Sequence, residues 1–434
     1  MRSFLFLLVS IFSLHVVGAE TGLTLEEALR EGQGHSPALD KLRASESEAA
    51  WKPLEALSDN LPKISVSATH FFDLQYQALN VNFGGSPTSF PLVYPRTLYT
   101  LGAAWTIFDG MGTLQRYTAA KSQVEAARWE REYGELQTAQ DIRLKYFKAL
   151  AAELLSTVAA QNVTALQDHY QKANLLLKEG VATKFDLLRI KVQLEEAGPE
   201  KIAADDNVKI ARQTLAQAMG LENDARPLAG KLPEPSAETL AHPMENNVQE
   251  RGDLRALNQR AEAADHHYQS TLGNWFPKVT LTAQRDFYNN IDATLFDNVR
   301  NAYSVGINLS WNFLDGGATL ARQRQSIYQR DQIEAIRRAA LLRAPVDIDT
   351  WKRKYSYNLG LFQARRRAIE MAEESVRLAK LGMEAGTRTN TDVLDAELDL
   401  FRAKAGVIRA QVDAVEALMN LELALGRKLG KDQG

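Results

Sequence analysis

The chain of 434 residues contains no cysteine, which removes disulfides, thiolate nucleophiles, cysteine-ligated zinc and a lipidated N-terminal cysteine at once. It has no basic run either. Its 51 Lys and Arg stand against 54 Asp and Glu for a net charge of −3, so the electrostatic footprint of a nucleic-acid binder is missing. Beyond the N-terminus no stretch reaches the roughly eighteen consecutive apolar residues of a membrane-crossing helix. There is no glycine-rich phosphate loop, no nucleophile motif built on Ser, His and Asp, and no paired-acid pocket. His266 and His267 are adjacent, hence about 100° apart on a helix, with no histidine four positions on, so no metal site is expected. We expect neither catalysis nor a cofactor. What is present, 45% hydrophobic and 24% charged residues, suffices for several cores and excludes collagen-like and low-complexity chains.

At the N-terminus, Arg2 precedes Phe4-Leu5-Phe6-Leu7-Leu8-Val9 and Ile11-Phe12, and Val17-Gly18-Ala19 precedes Glu20. A positive start, a short apolar core and a small-residue cleavage site make residues 1–19 a signal peptide. The mature chain is therefore expected outside the cytoplasm.

An internal repeat organises the remainder. Leu61-Pro62-Lys63-Ile64-Ser65-Val66 returns as Phe276-Pro277-Lys278-Val279-Thr280-Leu281 at a shift of 215. Trp105-Thr106-Ile107-Phe108-Asp109-Gly110 returns as Trp311-Asn312-Phe313-Leu314-Asp315-Gly316 at a shift of 206, which also relates Gly180 to Gly386 and Gly220 to Gly426. One constant shift through Trp, Gly and Asp landmarks reads as a tandem duplication. Repeat 1 spans 20–220, a linker 221–250 holds five prolines and glycines, repeat 2 spans 251–427, and 428–434 form a tail.

Within each repeat, two stretches alternate apolar with Ser, Thr or Asn: strands at 63–73 and 98–108, then at 278–288 and 303–313. Period-two alternation over about ten residues is what a strand between lipid and a wet lumen requires. His70 and Arg285 interrupt the apolar face. The segments between the paired strands are rich in Gly, Pro and Asn and read as loops. The rest has helical composition: 36–60, 111–178 and 184–220 in repeat 1, with 251–275, 317–384 and 390–426 in repeat 2, joined at tips 179–183 and 385–389. A helix over 111–178 would be roughly 100 Å long at about 1.5 Å per residue, and must bury its apolar stripe by coiled-coil pairing. Pro345 predicts a break in the second long helix, and Gly198-Pro199 a disturbance in 184–220.

Four strands per chain cannot form a closed barrel, and each unpaired edge group costs several kcal/mol in lipid. Other copies must complete the sheet. Two chains give eight strands, which side chains fill, whereas three give twelve and leave a lumen.

This order of elements, taken twice, resembles the TolC-like outer-membrane efflux family of Gram-negative bacteria over roughly residues 22–427. The segment Gly386-Thr387-Arg388-Thr389-Asn390-Thr391-Asp392-Val393-Leu394-Asp395-Ala396 is the most specific match, similar to that family's inner hairpin tip. The resemblance implies a mainly α fold with a β-barrel part, namely a homotrimeric twelve-stranded outer-membrane barrel continued by a periplasmic helical tunnel. It also implies a passive exit duct for efflux or type I secretion. Its partners would be outer-membrane lipid, a periplasmic adaptor (membrane fusion protein) and an inner-membrane transporter of the RND or ABC kind.

Asp392 and Asp395 lie three apart and share a helix face; spacing alone also allows an ordinary solvated acid pair. The resemblance makes them a constriction ring of six carboxylates, which would raise one another's pKa and favour cations. It also implies that Arg388 ties the inner hairpin to Asp186 as a gate latch. Two positions depart from the family pattern: Met383 stands where a tyrosine is expected, and Phe185 where a threonine is. Gly180, Val181, Gly386 and Thr387 would form the tip turns and the adaptor-docking surface, or act as plain C-caps. Trp105 and Trp311, each before an Asp-Gly, fit a membrane-interface belt, with core packing as the alternative. A secreted, non-membrane coiled-coil scaffold or adhesin would explain the helices and the signal peptide, but not the four alternating strands.

Overall fold

A computed structural model describes residues 22–72, 78–91, 97–180, 182–224, 226–241, 248–289, 300–427 and 429. The expected signal peptide lies outside them, as do Val181 and most of the tail. In chain order the elements are α1 (Leu25–His35), α2 (Pro37–Leu57), β1 (Lys63–His70), β2 (Ala78–Phe83), β3 (Ser86–Pro91), β4 (Thr97–Phe108), α3 (Gly112–Lys178) and α4 (Lys184–Met219). They continue as α5 (Glu238–Ala241), α6 (Gly252–Leu272), β5 (Lys278–Asn289), β6 (Arg300–Ser310), α7 (Ala318–Glu384) and α8 (Asn390–Leu425). They divide into two units. The first holds residues 1–40, 134–247 and 344–434, and the second 41–133 and 248–343.

The second unit carries an antiparallel sheet in the order β1-β4-β5-β6. Its register aligns like with like. Val66 pairs with Leu101, Ala103 with Ala283, and Leu281 with Ile307, so one face is a continuous apolar surface. That face is open to solvent: Ile64, Val66, Val305 and Ile307 are each at least 70% exposed. The opposite face is polar, and there Thr100 donates to Asp286 at 2.7 Å and Gln284 donates to the same carboxylate at 2.9 Å. Arg285, which interrupts the apolar face, lies over the Phe287 ring at 5.1 Å, and His70 meets the Thr97 hydroxyl at 2.8 Å.

Each long helix begins on the Asp of the repeated motif. The Thr113 N–H and hydroxyl donate to Asp109 at 2.8 and 2.6 Å, and those of Thr319 to Asp315 at 2.9 and 2.7 Å. The preceding turn needs two residues at positive φ. Repeat 2 supplies Gly316 and Gly317, whereas repeat 1 supplies Gly110 and Met111, the latter at φ 67°, where a side chain costs about 1–2 kcal/mol.

In the first unit, α1, α3, α4 and α8 enclose a core of Leu23, Ile142, Tyr146, Phe147, Leu215, Met219, Val415 and their neighbours. The inter-repeat linker is strapped to it. Leu23 bridges Leu228 in parallel, with Leu23 N–H donating to Pro227 at 2.7 Å and Ala229 N–H to Leu23 at 2.9 Å. The buried Tyr146 hydroxyl sits between the carbonyls of Leu23, at 2.9 Å, and Ala229. Tyr355 on α7 holds Ser236 in the same way, donating to its carbonyl at 2.9 Å and accepting from its N–H at 3.2 Å.

The structure differs from the sequence reading at several elements. Helix α1 was not expected; Thr24 and Glu27 close a reciprocal cap at its start, with bonds of 3.0 and 3.2 Å, and Ala28 is buried beneath it. The segment read as loop between the first strands holds the β2–β3 hairpin, because Gly84 and Gly85, at φ 57° and 93°, form a two-residue turn that matches strand twist. Strand β6 ends at Ser310, short of the expected 313, because Ser310 pairs with Lys278, the first residue of β5, and no partner remains beyond it. Neither proline interrupts its helix: α7 runs through Pro345 and α4 through Pro199. Buried Ala344 and Ile348 flank the first, and the second follows Gly198, which has no Cβ to clash with the ring, and buried Ala197. Helix α3 does contain a window apolar enough to cross a membrane, of which 28% is buried; Ala149, Leu150, Ala151 and Ala159 of this helix are buried within the first unit.

Two outcomes follow. Tyr146→Phe takes the hydroxyl donor from the Ala229 carbonyl, while that of Leu23 keeps the Ala229 N–H, and should destabilise the fold by about 1–3 kcal/mol, read as a lower thermal midpoint. Met111→Gly should instead stabilise the fold by up to about 1 kcal/mol, read as a higher midpoint, since it relieves the positive-φ cost that repeat 2 does not carry.

Candidate functional site at the hairpin tips

Both helical hairpins, α3–α4 and α7–α8, turn within the first unit and are built alike. Each long helix ends on a glycine in the left-handed region, Gly180 at φ 77° and Gly386 at φ 73°. Gly386 N–H donates to Met383 at 3.0 Å, while the Thr387 and Arg388 N–H groups converge on the Gly382 carbonyl at 2.8 and 3.1 Å. These bonds satisfy carbonyls that the helix end would otherwise leave orphaned. The returning helix then starts on a capping box. Thr183 and Asp186 cap each other at α4, and Thr389 and Asp392 do so at α8.

The caps decide what the acids do. Asp392 accepts from the Thr389 N–H and hydroxyl, both at 2.8 Å. The backbone N–H of Thr389, then its hydroxyl, then the charge of Arg388 hold the Asp392 carboxyl below the usual carboxylate range. The sequence reading expected a raised value from neighbouring carboxylates; within one chain the capping bonds prevail. Asp395, one turn further, reaches Arg189 of α4 at 3.2 Å. Arg189 and Asp395 are equivalent positions of the two repeats, related by the 206-residue shift, and their pair joins the two hairpins. Together with Glu370, Glu374, Arg388 and Asp399, the two acids line a groove of about 690 Å³ along α7 and α8.

Arg388 and Asp186 do not form the expected latch within one chain. Asp186 is occupied by its cap, accepting from the Thr183 hydroxyl at 2.5 Å and N–H at 3.2 Å. The Arg388 stem folds along the last turn of α7, so that a Cβ on Gly382 would come within 2.5 Å of its Cγ. Met383 packs with Val376, Ala379, Val393 and Ala396 between α7 and α8, whereas Phe185 is 72% exposed. Thr387 is exposed, with its hydroxyl donating to the Gly382 carbonyl at 3.1 Å.

Sequence reading missed Arg189, although the repeat shift that pairs it with Asp395 was available. It also missed His169 on α3, which contacts Asn390 and Glu397 of α8; no spacing signals a residue whose partners belong to another helix.

In the second unit, Trp105 and Trp311 play matching parts. The Trp105 indole N–H donates to the Asn60 carbonyl at 2.8 Å, and that of Trp311 to Trp275 at 3.2 Å. Each stays about half exposed beside the apolar sheet face, ring outward and N–H held by the turn before β1 or β5. Among the described residues, no group of three or more His, Asp or Glu is placed to hold a metal ion.

Comparison with known proteins bears on the family and the fold. The family model described as outer membrane efflux protein matches residues 28–221 and 245–427. The outer membrane efflux protein BepC of Brucella suis is 25% identical over 78% of this chain and 74% of its own length. The outer membrane protein TolC of Vibrio cholerae is 21% identical over 93% and 90%. The alkaline protease secretion protein AprF of Pseudomonas aeruginosa is 24% identical over 65% and 60%. Among solved structures, the outer-membrane channel OprN superposes with a TM-score of 0.79 at 19% identity, covering 93% of this chain and 90% of that one. The outer membrane protein VceC of Vibrio cholerae superposes at 0.76 and 18%, covering 94% and 97%. At such identities the superpositions establish the fold.

Replacing Thr389 with Ala removes the two bonds of its hydroxyl, one donated to the Asp392 carboxylate and one accepted from the Asp392 N–H, and keeps the backbone N–H bond. Hydrogen exchange at 390–393 should then quicken about fivefold or more, and the Asp392 pKa should rise toward its ordinary value. Because that pKa is depressed in the fold, the cap is intact at neutral pH and its contribution is lost as pH falls below the ordinary carboxylate range.

Proposed function

The chain belongs to the outer membrane efflux protein family, and on that premise we propose that it is a gated, passive exit duct of the outer membrane, serving a tripartite efflux or type I secretion system. The observation that carries this reading is the open four-stranded sheet, apolar and exposed on one face, polar on the other, with β1 and β6 unpaired on their outer sides. A surface of that kind is stable in lipid only when further strands close it. Three copies would supply twelve strands and a water-filled lumen behind the polar face. Trp105 and Trp311 then lie at the membrane boundary as an aromatic belt.

Gating is assigned to the hairpin tips. In a trimer, three copies each of Asp392 and Asp395 would form an acid ring, which concentrates cations and slows anions. The low pKa of Asp392 keeps its share of that ring charged at neutral pH. Arg189 neutralises Asp395 while it holds the hairpins together, so parting them would both widen the mouth and increase its negative charge. An exposed pair of this kind contributes only about 0–1 kcal/mol, which suits a contact that must open. The Arg388–Asp186 latch is retained as a contact between neighbouring copies. Gly180, Val181, Gly386 and Thr387 form the surface offered to a periplasmic adaptor, which would connect the duct to an inner-membrane RND or ABC transporter.

Single-channel recording across a planar bilayer tests the reading directly. Wild-type protein should pass a small cation-selective current, Asp392→Ala/Asp395→Ala should lose most of the selectivity, and Arg189→Ala should raise open probability by up to about fivefold. Protein that stays soluble without detergent and passes no current would sink the duct and favour a secreted coiled-coil scaffold.

A further inference from the structure

An ionisable cluster is enclosed by α3, α7 and α8 close behind the second tip. His169 Nδ1 lies 3.0 Å from Glu397 Oε2, and its Nε2 meets the side-chain oxygen of Asn390. Lys380 Nζ reaches the other Glu397 oxygen at 2.8 Å. The side chains of His169 and Glu397 are 7% and 9% exposed. Both imidazole nitrogens therefore face acceptors in a nearly dry place, and only an imidazolium donates from both. Asn390 is the first residue of α8. Glu397 lies seven positions on, two turns along the same face, and Asp392 and Asp395 fall between them.

We propose that His169 is a positioning residue of the gate: its protonated ring clamps α3 to the first two turns of α8 in the closed state, and its deprotonation releases them. The proposal rests on the gated-duct reading and adds to it a proton as the signal. The charges facing the ring are Glu397 from α8 and Lys380 from α7. Helix α4 presents Leu187, Ile190, Leu194 and Ala197 to the adjoining core, and its one charge paired with α8 nearby is Arg189, held by Asp395 at 3.2 Å. Burial by itself lowers the His169 pKa, yet the bonds to Glu397 and Asn390, with the Glu397 charge, outweigh both burial and Lys380 and leave it raised. Burial likewise pushes Glu397 up, but its bonds to His169 and Lys380 prevail and keep it a carboxylate. Once neutral, the ring has one nitrogen without a proton, and one of its two acceptors on α8 loses that donor.

The direction with pH follows from linkage. A ring whose pKa is raised in the closed state strengthens that state fully below its free value of about 6.5 and progressively less as pH climbs through the closed-state pKa. Opening should therefore increase with pH just above 6.5, by about tenfold in the open-to-closed ratio for each unit separating the two pKa values. Ser375 occupies the equivalent position of repeat 2, so the second long helix has no titrating counterpart and the clamp acts from α3 alone.

Two measurements on the full-length protein decide the matter. Open probability in planar bilayers is recorded from pH 5.5 to 8.5 for wild type, His169→Gln and Glu397→Gln, and the His169 pKa is read from its C2 hydrogen–deuterium exchange by mass spectrometry. The expected result is an opening that rises about tenfold with pH in wild type and is flat in His169→Gln. The His169 pKa should lie above 6.5 and fall in Glu397→Gln, which removes the charge that helps raise it. A pH profile unchanged in His169→Gln, or a His169 pKa at or below 6.5, overturns the clamp while leaving the duct intact. Absence of current at every pH defeats the duct reading itself, and the clamp's role with it.

Discussion

A strand that enters lipid must bond every N–H and C=O it carries, and this chain does not contain enough strands to do so. β4 and β5 are paired on both sides, β1 and β6 on one. Much else about the sequence follows from that shortfall. The apolar face is confined to the sheet, where lipid can cover it, while helices of 67 residues are amphipathic and alanine-rich, suited to packing on one another. Closure is left to neighbours of the same kind. The outer edge of β6 in one copy is the natural partner for β1 in the next, a head-to-tail contact that repeats until the ring is complete.

Duplication supplied the two halves, and divergence between them carries the specialisation. The helix starts at Asp109 and Asp315 are bonded alike, yet one turn contains Met111 where the other contains Gly317. At the tips the capping boxes are alike again, Thr183 with Asp186 and Thr389 with Asp392. Three residues beyond each capping acid the repeats differ in charge, and the two unlike residues, Arg189 and Asp395, face each other. Positions that are equivalent by descent thus meet across the hairpins, and a single charge change in one copy is enough to turn a repulsion into a tie.

Much of this was legible in the residues. Strand alternation, the Trp…Asp-Gly landmarks and the glycine tips are local signals, and they locate the sheet, the long helices and the turns. Local rules failed where packing decides. Pro345 read as a break and Pro199 as a disturbance, but both helices run on through them, beside buried neighbours. Helix α1, short and containing Gly32 and Gly34, reads poorly by propensity and forms because it is capped and buried. Arg189 was marked by the repeat shift, whereas His169 was invisible for another reason: whether two residues on different helices touch depends on how each helix is rotated about its axis, which spacing along the sequence does not encode.

Asp392 carries two duties on one carboxylate, as the cap that starts α8 and as the negative charge proposed for the mouth. These duties call for different properties, since a cap needs only an oxygen that accepts from Thr389, whereas a cation filter needs the charge. Of the uncharged side chains, asparagine keeps the acceptor in nearly the same place. Evolution can therefore retune what passes the mouth through Asp to Asn at this position without reshaping the tip, while most other replacements alter permeability and helix start together. The range of selectivities within reach of this fold is set as much by the grammar of helix ends as by the demands of the cargo.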